Sequence, residues 1–264
     1  MRELEMSVPW PWARATEAER ALYVMAATIA GLALLLWLTP VALAYAPPPI
    51  GAAADQFGQG ARMTMLLTVV SGSLGLALGV FAGLARASEE RAPQLVARFY
   101  IWAVRGTPLV VQILFVYFAL PAIFPFFQLS GFWSAVLALS VNVGAYNAEI
   151  IRASLQAVPK GQFEAARSMG LTPIQSYALV ILPQAVRIAL PPLVNNIVSL
   201  LKDSSLAYVI GVVELSLVGN RIQAESFRPV PVFITVACVY LAQTTILSGF
   251  SHALERWLSK GHGR

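Results

Sequence analysis

The sequence predicts an all-α membrane protein of about six transmembrane helices, and three observations carry that prediction. Charged residues make up only 12% of the 264, where about a quarter is usual, and hydrophobic residues make up 58%. So few charges cannot solvate the exterior of a water-soluble domain of this length, and the mean hydropathy of +0.69 agrees. The apolar residues also gather into runs of about 20, the length that crosses a bilayer.

The expected spans fall at roughly 21–45, 62–84, 100–120, 132–152, 187–203 and 230–251. The first opens on Thr16-Glu17-Ala18-Glu19, a capping box in which a hydroxyl and a carboxylate cover free amides. Ala44-Tyr45-Ala46 resembles a leader cleavage site. Residues 1–20, however, hold three Arg and four Glu, the apolar run is long and Pro47 follows, so an uncleaved span is expected. The fifth span is the shortest and most polar, and Pro191-Pro192 should break its start. Leu206–Val218 is apolar, too short to cross and contains Glu214, which reads as a partly buried helix on the outer side.

The basic residues orient these spans. With the N-terminus inside, fourteen fall on inner segments: Arg2, Arg14, Arg20, Arg86, Arg91, Arg98, Arg105, Arg152, Lys160, Arg167, Arg187, Arg256, Lys260 and Arg264. Four fall outside: Arg62, Lys202, Arg221 and Arg228. Cytoplasmic residues are enriched in Lys and Arg, so both termini are expected in the cytoplasm of a multi-pass inner-membrane protein. The net charge of +5 is thereby explained as topology, with no nucleic-acid partner. A single cysteine, Cys238, excludes an intrachain disulfide, and two histidines near the C-terminus, His252 and His262, leave little for a metal site.

Within the spans, three patterns carry mechanism. Ser71, Gly75, Gly79 and Gly83 recur every fourth residue and give the second span one small face for close helix packing, within this subunit or against a partner. Asn142, Tyr146 and Glu149 share a face of the fourth span. Asn142 lies roughly 13 Å along the helix from Trp133, near mid-membrane. Such a stripe is costly against lipid and should face a partner or a cavity, although Glu149 could simply pair with Arg152. In the fifth span, Asn196, Ser199 and Asp203 form one stripe, and Asn195, Ser199 and Lys202 the next. Both signs of charge beside amides suit a small zwitterion; the plain alternative has Lys202 and Asp203 meeting interface water.

The loop Ala153–Val186 is the most distinctive stretch. Pro159 ends the preceding helix, Glu164-Ala165-Ala166-Arg167 begins a short one and Gly170 can stop it in the left-handed conformation. Thr172-Pro173-Ile174-Gln175 restarts a helix as a capping box, which Pro183 should end. The result is a compact cytoplasmic knob with Phe163, Met169 and Leu171 as apolar contacts. No phosphate-binding loop, G-x-S-x-G or H-E-x-x-H occurs, so no catalytic constellation is present and the chain is not expected to be an enzyme.

The run Glu164-Ala165-Ala166, Gly170 and then Val180-x-Leu182-Pro183 resembles the EAA motif of permease subunits in bacterial ATP-binding-cassette importers. Further blocks resemble polar amino acid permeases: Arg105-Gly106-Thr107-Pro108-Leu109 with Gln112 and Tyr117, Ala145-Tyr146-Asn147-Ala148-Glu149-Ile150 with Arg152, and Ser199-Leu200-Leu201-Lys202-Asp203-Ser204-Ser205-Leu206. The resemblance implies a type I importer core of five helices over 61–255, with the loop 153–186 as its coupling element and the span 21–45 as an addition. It also implies a cytoplasmic segment at 1–20 and a cytoplasmic tail at 256–264. The partners it implies are a second permease chain, identical or different, ATPase subunits that bind ATP and Mg, and an extracytoplasmic amino-acid-binding protein. Phe163, Glu164, Ala165, Ala166, Arg167 and Gly170 would be the ATPase contact, and no cofactor belongs to this chain. The rivals are a permease of the same fold for another small solute, a non-transporting assembly subunit, for which the polar stripes have no use, and an intramembrane enzyme, which lacks a nucleophile–base pair.

Overall fold

The computed structural model describes residues 17–88 and 90–259, with side chains described over 22–88 and 90–254. Thr16 and the side chains that would form its capping box with Glu19 lie outside what is described. Among those described there is no strand. The helices are α1 (Glu17–Ala44), α2 (Ala54–Ala87), α3 (Arg91–Arg105), α4 (Leu109–Leu114), α5 (Leu120–Ile123), α6 (Gly131–Ala157), α7 (Lys160–Ser168), α8 (Pro173–Ser176), α9 (Leu182–Asp203), α10 (Leu215–Ser226) and α11 (Pro229–Ser259). Among the described residues five helices are long and apolar enough to cross a membrane, or six if a bent pair counts as one.

That bent pair corrects the expected span 100–120. The chain does not run straight there: Arg91–Arg105 and Leu109–Ile123 meet at 106°. The residue before a proline is pushed out of the helical region, and Pro108 is extended, so the helix stops at Arg105 and restarts at Leu109. Gln112 closes the corner, its Nε2 donating to Val104 O at 2.7 Å, Thr107 Oγ1 at 2.9 Å and Thr107 O at 3.1 Å.

Three further expectations are corrected. Pro183 does not end the second loop helix. The backbone passes from α8 through a π-turn, Tyr177–Ile181, directly into α9 with Pro183 as its second residue, so the wider turn lies just before the proline that lacks an N–H. Pro191 and Pro192 lie inside α9 without breaking it. Helix prolines are tolerated in spans whose freed carbonyls find other partners or a cavity. Leu206–Val218 is not one helix: a 3-10 segment, Ser204–Ile210, ends at Gly211 with φ 80°, and α10 begins only at Leu215.

α6 is the central helix. α2 runs parallel to it along the face of Ser71, Gly75, Gly79 and Gly83. A Cβ added at Gly75, Gly79 or Gly83 would lie 3.0, 3.1 or 3.0 Å from the carbonyl oxygens of Ser140, Gly144 and Ala148. Those acceptors are themselves four residues apart, so the glycines bring two backbones together along one ladder. Both α2 and α6 point toward the end of the molecule that carries α7, here the knob end. At the opposite end a core of Phe57, Ala61, Leu215, Val218, Val232 and Val236 joins α2, α10 and α11. A smaller cluster, Val158, Ile181 and Ala185 with Leu155 and Phe163, lies under the knob.

Candidate functional site

Five of the eight residues expected on a substrate path come together. Tyr146 and Glu149 of α6 and Asn195, Asn196 and Ser199 of α9 line one cavity of about 360 Å³, with Arg105, Pro192, Ile150 and Ala153. Neighbouring residues on an antiparallel helix pair bring these side chains to one place. Asn196 Nδ2 donates to Asn147 Oδ1 at 2.8 Å, and Asn195 Oδ1 accepts from Ser251 Oγ of α11 at 2.9 Å.

The charges of the cavity are paired. The Arg105 guanidinium sits 5.0 Å from the centre of the Tyr146 ring, a cation–π distance. Glu149 makes a bidentate ion pair with Arg152, one turn along α6. The wall therefore carries a cation, a carboxylate held by Arg152, amides and a hydroxyl among apolar groups.

The other three path candidates lie elsewhere. Asn142 is buried and does not line the cavity; its Nδ2 donates to Gln112 Oε1 at 3.0 Å, tying α6 to the corner between α3 and α4. Lys202 and Asp203 are exposed at the last turn of α9 and do not line the cavity. Three residues at the site had no place among the expected path residues. Asn147 is buried, and its Nδ2 has no partner. Arg105 and Ser251 come from neighbouring helices. Asn147 had a visible signal, an amide in the middle of a span; the other two depend on packing that no spacing rule reveals.

The knob forms as two turns of different kinds. α7 ends where Met169 N bonds Ala165 O and Leu171 N bonds Ala166 O, with Gly170 at φ 83°. That left-handed value is unfavourable for any residue with a Cβ. Thr172 and Gln175 then make both bonds of a capping box. Ala166 is buried, and the Phe163 ring packs 5.4 Å from the Tyr177 ring, so these two hold the knob to the π-turn. Glu164, Ala165, Arg167 and Gly170 face outward, with Met169 75% and Ile174 82% exposed. Arg167 spends its charge locally, donating to Leu171 O at 2.5 Å.

At the opposite end Glu214 has no solvent exposure and caps α10, accepting from Ser216 N, Leu217 N and Tyr240 Oη, each at 2.8 Å. Burial raises its carboxyl above the ordinary carboxylate range, and the bonds from Ser216 N, the Tyr240 hydroxyl and Leu217 N act in the other direction.

A bundle of lipid-length helices, a polar cavity between two of them and an exposed helical knob at one end define a membrane transport component. The comparisons give the same class. Residues 75–260 match the family described as binding-protein-dependent transport system inner membrane component, and the chain belongs to that family. It is similar to the glutamine transport system permease protein of Escherichia coli (strain K12), 41% identical over 198 residues, which is 75% of this chain and 90% of that protein. It is similar also to the L-cystine transport system permease protein of Bacillus subtilis (strain 168), 42% identical over 202 residues, 76% of this chain and 86% of that protein. Among solved structures it resembles an amino acid ABC transporter crystallised with histidines, 38% identical with a TM-score of 0.74, covering 78% of this chain and 95% of that one.

Proposed function

We propose that this chain is the permease of an ATP-driven importer of polar amino acids, with both termini in the cytoplasm, and that α7 docks into a separate ATPase subunit. ATP hydrolysis belongs to that subunit. A second permease chain and an extracytoplasmic binding protein complete the assembly. The carrying observation is continuity: the knob's α8 passes through one π-turn into α9, and α9 supplies Asn195, Asn196 and Ser199 to the cavity. A push on the knob therefore acts on the cavity wall through a single helix. The fourteen basic residues expected at the knob end support the orientation.

Reconstitution in proteoliposomes with the ATPase and the binding protein tests the reading. Labelled glutamine, cystine and arginine would be offered inside-out and right-side-out. Wild type should take up at least one of them with ATP on the knob side, and Glu164→Arg should leave ATP hydrolysis running while uptake falls. Undiminished uptake by that variant removes the coupling role, and ATP-dependent uptake of none of the three removes the substrate class.

A further inference from the structure

We propose that α3 is an interfacial helix that binds anionic lipid in the leaflet at the knob end. The proposal rests on the membrane-spanning reading of the neighbouring helices and not on the amino acid substrate.

The first observation is direction. Leu109–Ile123 runs antiparallel along α6, with Gln112 bonded to Asn142 and Tyr117 beside Gly131, and α3 meets it at 106°, so α3 lies across the bundle and, on the membrane-spanning reading of α6, close to the plane of the membrane. The second is the distribution of its side chains. Ala97 and Ile101 are buried against the bundle, and Tyr100 Oη donates to Val141 O at 2.6 Å, which pins that face. The face turned away carries Leu95, Phe99 and Trp102, 61%, 67% and 72% exposed, at spacings of four and three that make one stripe. Phe99 and Trp102 rings stand 5.9 Å apart within it. Water would not stabilise such a stripe; acyl chains would.

The third observation selects the lipid. Arg91, Arg98 and Arg105 recur every seventh residue and form a row beside the aromatic stripe. Arg105 turns to Tyr146 and the cavity. Arg91 and Arg98 are exposed on the same helix, along the edge of its aromatic stripe. A guanidinium at that depth matches a phosphate, and two of them favour a headgroup with net negative charge. The acidic residue described nearest, Glu90, stands just before the helix and not in the arginine row. A second permease copy is the other occupant an apolar stripe could take, but it gives no reason for arginines along the stripe's edge.

The test uses the purified full chain in nanodiscs containing a minor fraction of phosphatidylglycerol or phosphatidylcholine brominated on the acyl chains. Bromine quenches tryptophan on contact, and the difference between wild type and Trp102→Phe isolates the contribution of this one ring. The proposal predicts stronger Trp102 quenching by the brominated phosphatidylglycerol. It also predicts that the preference falls about fivefold for each arginine replaced in Arg91→Gln and Arg98→Gln. Equal quenching by the two lipids overturns it, as does a preference that survives both replacements. No Trp102 quenching by either lipid also overturns it and assigns the stripe to a protein partner.

Discussion

α6 meets α2 and α9 by opposite means. Against α2 it presents a ladder of carbonyls to glycines, with no room for a single methyl group. Against α9 it presents Asn147 to Asn196 across a hydrogen bond, beside a cavity. The first contact is dense, and close-packed surfaces resist displacement. The second combines a directional amide bond, which water in the cavity can replace, with the apolar side chains of Leu139, Val143, Ile197 and Leu200. The difference teaches how each pair is held: α2 and α6 form a frame joined backbone to backbone, and α9, continuous with the knob, meets that frame through side chains.

The most damaging way to break that contrast is to put a side chain on the dense side. Gly79→Leu places its Cβ against Asn147 and the Gly144 carbonyl and should cost about 3 kcal/mol. A thermal melt in detergent should show a large fall, and an unchanged melt would remove the ladder as the frame. On the polar side, Asn196→Leu strands the buried Asn147 amide and should cost roughly 2 kcal/mol. Pairing it with Asn147→Leu should restore most of that stability while uptake stays low, because the amides serve the cavity more than the fold. A double variant no more stable than the single one would show that the bond itself holds α9.

Gly170→Ala strains a left-handed backbone by about 1 kcal/mol at a position where the added Cβ meets nothing within 4 Å. Its melt should barely change while ATP hydrolysed per amino acid imported rises; a stability loss matching Gly79→Leu would place the knob in the frame. The smallest effect belongs to Glu214, remote from both faces of α6. Its folded carboxyl holds its proton more tightly than the unfolded one, so the stability it contributes is full below the unfolded value and declines as pH rises through the raised one. Glu214→Gln should therefore gain on wild type as pH rises through the raised carboxyl's range. Parallel melts across that range check the sign.

Much of this was legible in the sequence because it depends on local chemistry. The small face of α2, the Thr172–Gln175 box and the left-handed Gly170 follow from residues close in the chain. So do the polar stripes that meet in the cavity. What escaped was set by packing. Prolines at 183, 191 and 192 announce breaks in water, yet here one sits in a first turn and two remain within α9. The corner at Gly106–Pro108 is marked by Arg105, Gly106, Thr107 and Pro108, but the apolar stretches on either side are long enough for averaged hydropathy to join what Gln112 and Pro108 separate. Asn142 reads as path by its depth in the span but serves the corner, because the partner that satisfies it lies on another helix.

The π-turn at Tyr177–Ile181 has a counterpart at Phe115–Ala119, and each closes two residues before a proline, Pro183 and Pro121. A π-turn holds one residue more than an α-turn needs. It can therefore arise by a one-residue insertion that leaves the helix above and below in the same angular phase. Deleting one residue between Tyr177 and Ile181 would shorten the chain without rotating the knob relative to Asn195 and Asn196. It would exchange a soft joint for a stiff rod while every functional side chain kept its bearing.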